Sequence, residues 1–256
     1  MTDHPRHELD DERLLRYSRQ IMLPEFGVEA QERLLASTAL IVGMGGLGSP
    51  AALYLAAAGV GRLVLADPDR VELSNLQRQI LHGMDDAGRP KVDSARDRLA
   101  ALNPDVHIDI LPVALEGKAL EDAVREADVV LDCSDNFRTR FEVNRACLAR
   151  KRPLVSGAAI RFEGQLAVFD PRDPESPCYR CLYREQGEAE ETCAENGILS
   201  PVVGVIGSLQ ALEALRLLAG LGTPAAGRLL VFDGLHLELR MLRLPRDPEC
   251  PACGES

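Results

Sequence analysis

With 256 residues, 46% of them apolar, the chain is long enough to bury one large core or two small ones. A formal net charge of -11 and few aromatics (4%, no Trp) exclude a global nucleic-acid role. No cationic excess exists to displace counterions, and no stacking platform is expected. Any cationic work must be local.

The first residues, Met1 to Glu8, lack the apolar core of a signal peptide, so a cytoplasmic protein is the expectation. Residues 10–36 read as helical, with Leu14, Leu15, Leu34 and Leu35 as apolar anchors. Thr38 to Val42 is a short apolar run that ends in a glycine turn and reads as a buried strand. Leu47 to Ala58 follows as an Ala/Leu helix closed by Gly59, and Leu63 to Ala66 is a second strand with Asp67 at its carboxyl end. Lys91 to Leu102 is a helix stopped by Asn103-Pro104, and Val106 to Ile110 a strand. A helix over 118–126, a strand over Asp128 to Asp132, a helix over Phe137 to Arg150 and a strand over Pro153 to Ser156 complete the alternation. Strands alternating with helices argue for an α/β class: a Rossmann-like, mostly parallel sheet flanked by helices.

After Gly157 the pattern changes. Ile160 to Asp170 alternates and predicts an antiparallel hairpin with a turn near Glu163-Gly164. Residues 171–200 are rich in Pro, Glu and Gly and predict a mobile crossing loop. Val202 to Ala219 reads as a long helix. The apolar tract around it, 198–222, is interrupted by Gln210, Glu213 and Arg216, which favours a buried helix over a membrane span. Two antiparallel strands are expected near 228–233 and 236–243. No repeat stands out. The expected organisation is a single unit over 1–256, with a nucleotide-binding part over about 1–157 and an antiparallel, metal-bearing part over about 158–256.

Gly43-x-Gly45-x-x-Gly48 follows a strand and opens a helix, so backbone N–H groups can approach phosphates at the positive end of that helix. Asp67, nineteen residues after Gly48, is placed to accept from ribose hydroxyls. These features suit any adenine nucleotide, and a glycine turn that serves only packing is the plain alternative. The residues that follow shift the reading toward ATP. Ser74-Asn75-Leu76-Gln77-Arg78-Gln79 and then Lys91 supply donors for phosphate oxygens. Asp135-Asn136 lies beyond the strand ending at Asp132, where ligands sit in open α/β sheets. Asp135 can hold Mg²⁺ or cap the helix that follows. His82 follows the Arg78 cluster, where a metal or acid/base role is the functional alternative; a loop histidine with no partner pattern is expected at the surface or in packing.

Seven cysteines without an export signal point to thiols or metal ligands rather than disulfides. Cys178-x-x-Cys181 and Cys250-x-x-Cys253 fit tetrahedral thiolate coordination of Zn²⁺, a structural task that would pin the C-terminal part to the crossing loop. A pair of redox dithiols is the rival reading. Cys193 lies alone in the loop beside Glu188, Glu190, Glu191 and Glu195, acids expected to raise its pKa. Cys133 and Cys147 read as inert core residues.

Assembled, these residues resemble the ubiquitin-activating-like adenylyltransferases of the MoeB/ThiF/HesA group, most of all its molybdopterin-synthase branch. The matching stretches include Arg16 to Ile21, Ile41 to Gly48, Asp67 to Gln79, Lys91, Leu131 to Asn136, Val155 to Gly164, the two cysteine pairs and Gly204 to Glu213. The resemblance covers roughly residues 12–254. It implies adenylation of the C-terminal Gly-Gly carboxylate of a small ubiquitin-like sulfur carrier by ATP, giving an acyl-adenylate and pyrophosphate for later thiocarboxylate formation. A MoaD-like carrier of molybdenum cofactor biosynthesis is the first expectation, with a ThiS-like carrier of thiamin biosynthesis as the alternative, and a tRNA- or cysteine-directed carrier would end alike. Carried over by position, the glycine turn including Gly46 faces the nucleotide and Asp67 holds the ribose. Asn75, Arg78 and Lys91 meet the phosphates, and Asp135 meets Mg²⁺. Arg19 matches an arginine that reaches the nucleotide of the other subunit, which implies a homodimer with two composite sites and two carriers. Cys193 matches a cysteine that in some relatives links covalently to the carrier. With no rhodanese-like segment after the second cysteine pair, a separate sulfur donor is expected.

A nicotinamide-dependent oxidoreductase would explain the glycine turn and Asp67, but leaves Arg19, Arg78, Lys91 and the cysteine pairs without a task. A non-catalytic scaffold that binds a ubiquitin-like partner is the other rival; it predicts binding without ATP turnover.

Overall fold

The computed structural model describes residues 9–184, 197–222 and 225–254. Cys193 and the four glutamates around it lie outside them. Two helices open the described chain, α1 (Asp11–Ile21) and α2 (Gly27–Leu35). Asp10 caps α1 by accepting from the Arg13 N–H at 2.9 Å. The single helical stretch expected over 10–36 is thus broken, and Pro24, between the two helices, explains the break because it cannot donate to an earlier carbonyl. The apolar anchors differ too. Leu15 is 77% exposed and Leu14 is exposed, whereas Tyr17 is buried, its hydroxyl accepting from Asn103 Nδ2 at 2.9 Å. Leu34 and Leu35 are buried as expected.

One sheet of eight strands organises the rest. Its parallel half consists of β1 (Thr38–Val42), β2 (Arg62–Ala66), β3 (His107–Leu111) and β4 (Val129–Asp132), in the spatial order β3-β2-β1-β4. Between them run α3 (Gly48–Ala58), α4 (Lys91–Leu102), α5 (Gly117–Glu126) and, after β4, α6 (Phe137–Arg150). Register aligns the carboxyl ends: Val42 faces Ala66 on one side and Asp132 on the other, and Ala66 faces Leu111. Strand order reverses between β1 and β4, which opens a crevice at their carboxyl ends.

At β1 both faces of the sheet are covered, which is why it reads as an unbroken apolar run. Ala39 and Ile41 enter one core with residues of α2 to α4, while Leu40 and Val42 enter a second with Leu120 of α5 and Phe141 of α6. Alternate residues of a strand point to opposite faces, so one five-residue segment feeds both.

The antiparallel half is β5 (Leu154–Ile160), β6 (Glu163–Phe169), β7 (Arg228–Asp233) and β8 (Glu238–Arg243). β5 joins the halves, pairing in parallel with β4 and antiparallel with β6. The hairpin therefore spans 154–169 and turns at Arg161-Phe162, not near Glu163-Gly164. The strand expected to stop at Ser156 runs on to Ile160, because β6 supplies hydrogen-bond partners along its whole length. In the crossing segment, α7 (Tyr179–Leu182) forms a short helix. α8 (Ser200–Ala219) packs on α3 and on β5. By length and composition α8 could cross a membrane, but the polar residues within it are engaged here. Gln210 is fully buried and donates to the carbonyls of Asp132 and Val155, and Glu213 pairs with Arg216.

Candidate functional site

A cavity of about 290 Å³ opens at the carboxyl ends of β1, β2, β3 and β4. Its floor is the glycine loop after β1. Gly43 has φ 96°, donates its N–H to Ala66 O at 2.8 Å, and has no room for a Cβ, which would sit 2.7 Å from the Cys133 carbonyl oxygen. A Cβ on Gly48 would lie 1.9 Å from Gly43 O. Two of the glycines are thus required by the chain's own packing, whatever the ligand. Gly45 and Gly46 line the cavity; Gly48 does not.

Asp67, at the end of β2, is 5% exposed. Its Oδ2 accepts the Met44 N–H at 2.7 Å and its Oδ1 accepts the Asp69 N–H at 2.8 Å. Burial pushes this carboxyl above the ordinary aspartate value, against the opposing pull of Lys91 and of the two N–H groups. Lys91, at the start of α4, is buried; its ammonium is 2.8 Å from Asp69 Oδ2 and 3.9 Å from Asp67 Oδ2. Arg78 also lines the cavity. Its guanidinium donates to Ser74 O at 3.2 Å and to Asn75 Oδ1 at 3.1 Å.

The opposite wall is the turn after β4. Asp132 is fully buried and accepts from the Ser134 N–H, the Ser134 hydroxyl and the Ser156 hydroxyl. Arg140 of α6 is buried and donates to Ser134 O at 2.6 Å, which stiffens the turn. Asn136 caps α6, accepting the Thr139 N–H at 2.9 Å. The capping role considered for Asp135 therefore belongs to its neighbour. Asp135 is exposed, lines the cavity, and takes no hydrogen bond or ion pair from a described residue.

Of the residues singled out in the sequence, the cavity brings together Gly43, Gly45, Gly46, Asp67, Arg78, Lys91, Asp135 and Asn136. Asn75 stands behind Arg78 and Gln79, accepting from both side chains. Ser74, Leu76 and Gln77 do not line the cavity; the Ser74 hydroxyl donates to Glu72 and Gln77 accepts from Ser200. Arg19 is exposed on α1, outside the cavity, with no hydrogen bond or ion pair to a described residue. Gln79, named with the phosphate-donor cluster, lines the site too, and sequence reasoning passed over Asp69, Ser134, Arg140 and Val203, which also line it. For Asp69 a signal existed, since an acid two residues from Asp67 is the natural counter-ion of a later lysine. For Arg140 none did, because nothing in its helical context marks it as buried.

The four cysteines of the two C-x-x-C pairs converge, with all Sγ atoms within 4.8 Å of one another. Cys178 Sγ is 3.7 Å from Cys250 Sγ, and Cys181 Sγ is 3.5 Å from Cys253 Sγ. Sulfurs at the corners of a tetrahedron around one metal ion with bonds of about 2.3 Å stand about 3.8 Å apart, so the cluster fits a single ion. The remaining described cysteines, Cys133 and Cys147, are buried free thiols whose pKa values burial pushes up, as expected of core residues.

Comparisons with known proteins bear on the fold and the family. The chain is 53% identical over 248 residues to the sulfur carrier protein ThiS adenylyltransferase of Escherichia coli, covering 97% of this chain and 98% of that protein. It is 52% identical over 250 residues to the molybdopterin-synthase adenylyltransferase of the same organism, covering 97% and 99%. Among solved structures, Escherichia coli MccB crystallised with succinimide has a similar fold, with a TM-score of 0.82 at 23% identity over 94% of this chain and 74% of that one. The model of the ThiF family matches residues 17–252, and the chain belongs to that family.

Proposed function

We propose that the cavity between the glycine loop and the turn after β4 binds ATP beside the C-terminal carboxylate of a small ubiquitin-like sulfur carrier. The chain is an ATP-dependent adenylyltransferase of sulfur carriers: relatives about half identical over nearly their full length bear that activity in their names. The observation that carries the assignment of the site is convergence. Arg78, Lys91, the glycine loop and the unpaired carboxylate of Asp135 meet at one crevice of an otherwise acidic chain.

In the reaction a carrier carboxylate oxygen attacks the α-phosphorus of ATP. A new P–O bond forms, the bond to the β-phosphate oxygen breaks, and pyrophosphate leaves. The attacking carboxylate is already ionised, so no general base is needed. The task is to hold two anions together and to neutralise charge on the leaving group. The Gly45 and Gly46 backbone faces the phosphates and Asp67 accepts from the ribose. The Arg78 guanidinium and Lys91 ammonium contact phosphate oxygens, Arg78 being pre-oriented by Ser74 O and Asn75. Asp135 and Asn136 stand on the far wall. Asp135 is the carboxylate that would hold Mg²⁺, which when bound would screen the phosphates.

Arg19 does not line this cavity and is read as serving the site of a second copy. The spacing of the four sulfurs supports Zn²⁺ as a structural ion tying α7 to the segment 250–253. Relatives named for ThiS and for molybdopterin synthase match almost equally, so both carrier types are substrates to test. The deciding experiment is carrier-dependent ATP–pyrophosphate exchange with each of the two. Exchange with either supports the reading; none with either, from folded protein and carrier ending in Gly-Gly, overturns it.

A further inference from the structure

We propose that His82 is a positioning residue for nucleotide binding: it locks the peptide plane that aims the Gly45 N–H into the cavity. The proposal rests on the ATP-binding role of that cavity.

His82 lies in the long crossover between β2 and α4, is 7% exposed and does not line the cavity. Both ring nitrogens are engaged, Nε2 with Met44 O at 3.2 Å and Nδ1 with Ser94 Oγ at 2.8 Å. A carbonyl can only accept, so Nε2 carries the proton and donates it to Met44 O. Burial lowers the pKa of the ring, which keeps it neutral, so Nδ1 accepts from the Ser94 hydroxyl.

Met44 is the fully buried residue of the glycine loop. Its N–H is fixed by Asp67 at 2.7 Å and its C=O by His82, so the residue is held from both sides. A trans peptide is planar, and its C=O and the next N–H point in opposite directions. Fixing Met44 C=O toward His82 therefore fixes the Gly45 N–H on the opposite side. Gly45 lines the cavity, and its N–H has no partner among the described residues. Glycine has wide backbone freedom, so without His82 the Met44–Gly45 peptide can rotate and withdraw that donor. Loop flexibility is thus suppressed by a side chain that never touches the ligand.

Two substitutions separate the hydrogen bonds of the ring. His82→Gln places an amide donor at the position of Nε2 and keeps the contact to Met44 O. His82→Asn reaches only to the position of Nδ1 and loses it. The measurement is the Kd of α,β-methylene ATP by calorimetry, with the thermal midpoint of each variant. The expected result is about tenfold weaker binding in His82→Asn, the order for loss of one well-placed hydrogen bond, and less than about threefold in His82→Gln. Equal Kd values in the two variants, whether both native or both weakened, would overturn the role assigned to His82. Failure of the wild-type chain to bind the nucleotide would instead overturn the ATP-site reading.

Discussion

Lys91 holds its ammonium between two carboxylates, 2.8 Å from Asp69 and 3.9 Å from Asp67. The lysine is buried and Asp69 is 65% exposed, so one partner of the pair is free to rotate into water. A triphosphate entering the cavity can take the ammonium from Asp69 without a backbone movement. Lys91→Met removes the charge and keeps most of the volume. Carrier-dependent pyrophosphate exchange is expected to fall about 100-fold or more, as for loss of one electrostatic donor to a reacting phosphate. Asp69→Asn should leave exchange within about threefold of native, since Asp69 competes with the nucleotide rather than binding it. A large loss in Asp69→Asn would show that the ion pair itself is needed.

Arg78 differs from Lys91 in being oriented by its neighbours, through Ser74 O and Asn75 Oδ1. Arg78→Ala is expected to keep the fold and to reduce exchange about 100-fold or more. Asn75→Ala leaves the guanidinium in place but unaligned. It should raise KM for ATP about tenfold with a smaller change in kcat, the pattern of lost uniform binding. Steady-state exchange kinetics on the two variants distinguish contact from alignment.

How far the sequence carries is clear from these residues. The β1 strand, the glycine turn and Asp67 were legible because strand, turn and helix each demand particular residue types there. Asp135 was found, but its competing role as a cap was not separable from that of Asn136. Both can cap a helix, and only the backbone settles which stands at the boundary. Leu14 and Leu15 misled because helical apolar spacing says nothing of which face is covered. His82 and Arg140 were illegible as site residues. Their roles depend on carbonyls 38 and 6 residues away in sequence, and no local pattern encodes such a partner.

Asp67 should show its burial in a titration. Its carboxyl lies above the ordinary value of 3.8 because desolvation disfavours the charged form. The sign for stability follows. The folded chain binds this proton more readily than the unfolded chain, so the contribution of Asp67 is present below the unfolded value and is lost as pH rises through the folded one. Nucleotide affinity runs the other way, since ribose hydroxyls need an ionised acceptor. A ¹³C titration of labelled Asp side chains should show one resonance, absent in Asp67→Asn, that moves above pH 3.8. An Asp67 resonance titrating below that value would contradict the assignment of burial as the dominant influence.

The four-cysteine cluster should be structural. It joins α7, which packs on α6, to residues 250–253. Elemental analysis is expected to find one zinc per chain. Cys253→Ser should lower the thermal midpoint by several degrees, the shift expected for about 1–2 kcal/mol in a chain of this size. The same variant should leave the Kd of α,β-methylene ATP within about threefold, because none of the four clustered cysteines lines the cavity. A matching loss of nucleotide affinity would assign the cluster a direct part in the site.

Arg19 gives the sharpest test of a shared site. It is exposed on α1 and absent from the cavity of its own chain, so the proposed role in exchange is one played at the site of a second copy. Arg19→Ala alone and Arg78→Ala alone should each be nearly inactive. Mixed after dissociation and reassociation, they form a hybrid in which one site receives native Arg78 from one chain and native Arg19 from the other. The second site of the same hybrid lacks both. Random pairing makes about half of the dimers hybrids, and half of the sites in each are whole, so exchange should recover to about a quarter of native. Recovery to that level, with the mass of a dimer by light scattering, is the signature of arginine supplied across the interface. No recovery from verified hybrids would confine Arg19 to a role in its own subunit.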